Sequence, residues 1–163
     1  MPANRTGQHL AIYLRNHEAG AQAGMDLFKR AISGQREQTY VEVLRQLRVD
    51  VREDLRALRQ LMRTVHVRPD PLLATALRVG ERLGRWKPNG AVLRRSPLSD
   101  LVEIEALLDA VGAKRNGWLA LQAADLGEVA GQPDLTELVR RADQQTARLA
   151  ELHQLVSARV LAQ

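Results

Sequence analysis

Between Thr39 and Val65 the apolar residues Leu44, Leu47, Val51, Leu55, Leu58, Met62 and Val65 recur at three- and four-residue intervals. That spacing places them on one stripe of an α-helix and on no single face of a strand. Thr39-Tyr40-Val41-Glu42 reads as a capping box at the start of this helix, and Pro69 forbids it from continuing far. A helix of this kind cannot bury its stripe alone, so the run demands partners of the same type.

Three further long runs supply them. The first helix is expected from about Gln8 to Ala31, with Leu10, Leu14, Ala21, Gly24 or Met25, Phe28 and Ile32 inward and Ser33-Gly34 as its end. Asp70-Pro71 reads as the N-cap and first residue of a shorter helix reaching about Trp86, before the irregular link Lys87-Pro88-Asn89-Gly90. Ser96-Pro97 opens the third long helix, with Leu101, Ile104, Leu108, Val111 and Leu119 inward and an end near Ala124. Asp134-Leu135-Thr136-Glu137 is a second capping box. It starts the last helix, whose stripe is Leu135, Val139, Ala142, Leu149, Val156 and Val160. No alternating Val/Ile/Thr run with hairpin turns occurs, so no sheet is expected.

Short joints make the first two long helices antiparallel neighbours, and likewise the last two. The stretch between the second and third is long enough to return along the bundle, the single crossover of ferritin-like folds. The expected fold is all-α: a ferritin-like four-helix bundle with an additional short helix in the crossover, one domain over residues 1–163. Aromatic content of 3% leaves the core to Leu, Val and Ala. The absence of Cys excludes disulfides, thiolate nucleophiles, Cys-ligated zinc and iron–sulfur clusters. No apolar stretch approaches the roughly 18 residues of a membrane span. The polar start, Met1 to Gly7, lacks the apolar region of a secretory signal. We therefore expect a cytoplasmic protein with no membrane partner.

Polar residues on the inward stripes carry the functional question. His17, Asp54, Arg115 and His153 fall on the apolar faces of four different helices, and Lys114 and Asp143 flank such faces. His17 lies about 16 residues before the end of its helix and Asp54 about 16 after the start of the next, which is one level at about 1.5 Å per residue. The crossover topology brings Lys114 or Arg115, and Asp143, to that level. One polar layer of His17, Asp54, Lys114 or Arg115, and Asp143 is expected, with His153 deeper, near Glu103 and Glu105.

The run Tyr13-Leu14-Arg15-Asn16-His17-Glu18-Ala19-Gly20 resembles the Tyr-Leu-Asn-Asp-His-Leu-Ala-Gly run of a bacterial family of uncharacterised ferritin-like helical proteins. Ser96-Pro97-Leu98-Ser99-Asp100-Leu101-Val102-Glu103-Ile104-Glu105-Ala106-Leu107 is similar to a mid-chain segment of the same family. The resemblance implies a ferritin-like bundle and carries no activity. Glu18 stands where that family has Leu, and Arg15-Asn16 where it has Asn-Asp.

A ferritin-type di-iron centre takes a Glu from each of two helices and Glu-x-x-His from each of the other two. No Glu-x-x-His occurs in the chain. Two readings of the layer follow. In one, Lys114 or Arg115 supplies the counter-charge that clustered carboxylates need in a low-dielectric core, no cofactor is bound, and the protein is a non-catalytic structural or interaction module. In the other, a divalent metal is held by ligands drawn from His17, Glu18, Asp50, Asp54 and Asp143. We favour the first, because a cation is already present.

The net charge is +5, nearly all of it from Arg. Arg45, Arg48, Arg52, Arg56, Arg59 and Arg63 form a basic ridge along one side of the second helix. We expect a solvated face there, with nucleic-acid phosphates as the alternative partner. Gly20 and Gly24, with Ala19, Ala21 and Ala23, form a small-residue face in the first helix that is expected to admit a neighbour closely. No nucleophile–base pair, phosphate loop or HExxH sequence is present. Partners stay unidentified, and self-association is compatible with the pattern.

Overall fold

The computed structural model describes residues 3–73, 96–126 and 133–162. Among them are four long helices: α1 (Ala3–Gly34), α2 (Gln38–Thr64), α3 (Pro97–Ala123) and α4 (Leu135–Leu161). The last three have 27 residues each, or about 40 Å at 1.5 Å per residue. The described residues contain no strand.

The helix ends show which start and stop signals operate. Asp134 caps α4: its Oδ1 accepts from the backbone N–H of Thr136 at 2.9 Å and of Glu137 at 3.2 Å. Glu137 does not complete the expected box, because its carboxylate turns to Arg140. Asp70 works the same way, accepting from Leu72 and Leu73 N–H at 3.0 and 3.1 Å, so the crossover helix does begin at Pro71. The expected continuation to Trp86, and the expected link at Lys87 to Gly90, lie outside the described residues. The capping box expected at Thr39 does not form. α2 starts at Gln38 behind an extended Glu37, and the Thr39 hydroxyl donates to the Glu37 carboxylate at 3.0 Å instead.

α2 and α3 stop without glycine. His66 and Asp125 take left-handed backbone, with φ of 56° and 53°. In each case the next N–H reaches back to close the last turn, Val67 to Met62 O at 2.8 Å and Leu126 to Leu121 O at 3.2 Å. This is the Schellman arrangement, and the apolar residue after the turn, Val67 or Leu126, packs into the core.

Cross-helix pairs set the topology. Arg59 of α2 meets Glu18 of α1, Arg30 of α1 meets Glu103 of α3, Arg148 of α4 meets Asp50 of α2, and Arg159 of α4 meets Asp100 of α3. Together with the pairs below, these make every neighbouring pair antiparallel: α1 with α2 and α3, and α4 with α3 and, more sparsely, α2. The order is up-down-down-up, so the connection from α2 to α3 returns along the bundle.

Two apolar clusters fill the interior. One joins Phe28, Leu44, Leu47, Ile104, Leu107 and Leu149 with their neighbours; the other joins Leu14, Leu61, Met62, Trp118, Leu138 and Ala142 with theirs. Between the two stand the buried polar residues Glu18, Asp54 and Gln145. α3 is rotated from the expected stripe. Leu107, Trp118 and Leu121 are buried, Leu108 is half-buried, and Leu119 is 37% exposed.

Candidate functional site

Asp54 lies between Val51 and Leu58 on the inner face of α2 and is 1% exposed. A carboxylate there is stable only if charge and hydrogen bonds replace its water. The rotation of α3 delivers Lys114, whose Nζ lies 2.5 Å from Asp54 Oδ2. Gln145, reached from α4, donates its amide to the same Oδ2 at 2.9 Å and accepts from Lys114 through its own Oε1. The three side chains close a ring in which each bonds the other two. Arg141 Nη2 lies 3.1 Å from the second oxygen, Oδ1. Its protons go to Glu53 and to the Asp50 carbonyl, so its action on Asp54 is electrostatic rather than a hydrogen bond. Burial pushes the Lys114 amine below its ordinary value, while the adjacent Asp54 holds the proton on.

A second buried carboxylate stands beside this ring. Glu18 is 0% exposed, and its Oε1 accepts from Arg59 Nε and Nη2 at 3.0 and 2.6 Å. Gln22, one turn along, donates to both Glu18 oxygens at 2.8 and 3.0 Å. The remaining expected members sit outside the ring. Asp143 is exposed and pairs with Arg115 at 2.5 Å. Arg115 is therefore at the rim, where the rotation of α3 puts it, and not near the centre as its spacing suggested. Asp50 accepts from Arg148 at 3.1 Å. His153 meets Glu105 at 3.2 Å, while Glu103 takes Arg30. His17 is half-buried, with its ring 4.5 Å from that of Tyr13, and burial lowers its pKa below the ordinary 6.5.

The proposed metal ligands thus do not converge. Asp54 and Glu18 are taken by cations and amides, and Asp50 and Asp143 each have their own arginine. Among the described residues no group of three or more His, Cys, Asp or Glu is placed to hold a metal ion. The donor set does not fit a di-iron centre.

The basic ridge is also divided. Arg59 turns in to Glu18, Arg48 is half-buried, and Arg45 lies 3.9 Å from Glu42. Arg52, Arg56 and Arg63 remain exposed.

Beside the ring lies a half-open cavity of about 330 Å³ bounded by α1, α2 and α3. Phe28, Leu55, Leu58, Val111 and Trp118 supply much of its wall, and Asp54, Lys114 and His17 its polar part. Gly20 and Gly24 face it, and a Cβ on either would meet nothing within 4 Å. Although Ala19 is fully buried, the small-residue face therefore does not admit a neighbour closely at Gly20 and Gly24. It leaves room, since α3 presents Ala110, Ala113 and Gly117 opposite it. A close approach is made at Gly117, where a Cβ would lie 2.8 Å from His17 Cε1. Asn16, Gly20 and Ala113 are exposed lining residues, which makes the α1–α3 seam the mouth.

Gln145, Arg141 and Trp118 were missed by sequence reasoning. Gln145 had a signal: Leu138, Ala142, Gln145, Leu149, Leu152 and Val156 alternate four- and three-residue steps, with one polar residue in an apolar seam. No family model, curated protein or solved structure matches this chain.

Proposed function

We propose that the protein is a ferritin-like helical-bundle module with a non-catalytic, structural or interaction role, in which a Lys–Asp–Gln layer stands where ferritins carry two irons. The observation that carries this reading is the Lys114 ammonium against Asp54, 2.5 Å away in the middle of the bundle. A fixed cation there opposes the binding of a second one, and Glu18 is already neutralised by Arg59. The up-down-down-up order supports the same reading, because it is the order of helices in ferritin-like bundles. The carboxylates among the candidate ligands, Glu18, Asp50, Asp54 and Asp143, are engaged in internal ion pairs.

The test is elemental analysis of the purified chain, before and after incubation with ferrous, manganous and zinc ions followed by desalting. Well under one metal per chain is expected for each ion. One or more equivalents, lost on Asp54→Ala or His17→Ala, would overturn the reading in favour of a divalent-ion site.

A further inference from the structure

The cavity between α1, α2 and α3 is chemically lopsided. Its walls are apolar, yet a charged amine lines it. Trp118 lines it with its ring and is 3% exposed, while its indole nitrogen is fully buried and does not open into the cavity. Lys114 also lines the cavity. Asp54 and Gln145 take two of its three ammonium protons, leaving one donor over.

The size and form of the space point the same way. At about 330 Å³ it falls at the lower end of small-molecule pockets, roughly 300–1,000 Å³, which are mostly apolar with a few convergent polar groups. Gly20 and Gly24 sit mid-helix at a cost in helix stability, and neither is needed for close packing. Both keep the cavity open, one at its exposed mouth and one inside.

We propose that this cavity binds a small, predominantly apolar molecule carrying a neutral hydrogen-bond acceptor, a carbonyl or ether oxygen, which Lys114 receives while the Trp118 ring packs against the apolar part. The charge on Lys114 is already balanced by Asp54, so an anionic head would bring an uncompensated negative charge into the core. A head that only donates could not accept the remaining Lys114 proton. The site goes beyond the structural role proposed above and involves no metal, so metal analysis and ligand titration fail independently.

The test titrates the full chain with 2-octanone, octanoate and octylammonium, probes of equal chain length and different heads. Binding is read by calorimetry and by the Trp118 indole N–H resonance in ¹H–¹⁵N spectra, assigned with Trp118→Phe. Saturable binding of 2-octanone that moves the indole resonance is expected, with each charged probe at least tenfold weaker. Gly24→Leu, which fills the cavity from α1, is expected to weaken 2-octanone at least tenfold. Ala110→Leu does the same from α3, should Gly24→Leu fold poorly. No saturable binding of 2-octanone overturns the proposal, as does an unmoved indole resonance at saturation. Undiminished affinity in a folded filling variant overturns it too, and tighter binding of either charged probe overturns the assigned head.

Discussion

Lys114 is one of three lysines, with Lys29 and Lys87, among the 24 basic residues of this chain. An ammonium is a compact charge that can serve two acceptors from one atom, as it does for Asp54 and Gln145, whereas a guanidinium spreads five donors over a plane. Its neighbour Arg115, at the rim, has room for that plane and pairs with Asp143. The sequence showed that a basic residue belongs at this level and left open which of the two. α3 is apolar on almost every side, with Leu98, Val102 and Leu119 exposed, so no single stripe defines its inner face. His17 gives a measurable consequence. Burial holds its folded pKa below 6.5. As pH falls through 6.5, the unfolded chain takes up a proton that the folded chain resists, so stability is full above that value and declines below it. Urea midpoints compared between about pH 7.5 and about pH 5.5 are expected to fall less in His17→Gln than in the parent. An identical fall in both would show that His17 is not a source of the acid sensitivity.

Helix identity and order were legible because the runs of α1, α2 and α4 each keep one apolar period, and Pro97 and Asp134 mark the starts of α3 and α4. The rotation of α3 was not, for the reason just given, and the ends of α2 and α3 were only half legible. Both close through a left-handed residue, and neither has the glycine that normally announces one. Asp125 tolerates this backbone better than His66, since Asp and Asn reach the left-handed region most readily after glycine. His66 is exposed, so its side chain has little packing to lose. His66→Gly is therefore expected to stabilise the protein by up to about 1 kcal/mol, the strain of a left-handed L-residue less the extra entropy of glycine in the unfolded chain. Thermal denaturation checks it. A lower melting temperature would mean that the His66 side chain holds the α2 end in a way the backbone geometry does not require.

At the scale of the molecule, the polar ring and the Glu18–Arg59 pair form a belt that separates two apolar cores. A continuous Leu-rich interior would tolerate sliding of one helix against another by a turn, because each step re-pairs apolar with apolar. The belt removes that freedom: only one register places Lys114 of α3 between Asp54 of α2 and Gln145 of α4. Buried ion pairs are weak sources of stability, and their best attested use is to fix such registers. The argument separates two kinds of substitution. Lys114→Met alone strands the Asp54 carboxylate in the core and is expected to cost about 3–5 kcal/mol. Replacing the whole ring, Asp54→Leu with Lys114→Met and Gln145→Leu, removes the desolvation cost along with the pairing. That variant is expected to be as stable as the parent or more stable by about 1–4 kcal/mol in denaturant titrations. Its ¹H–¹⁵N spectrum should nonetheless broaden or double, because several helix registers become close in energy. A triple variant as destabilised as the single one would show that the ring contributes stability in its own right, and a sharp single set of resonances would show that the apolar cores set the register without it.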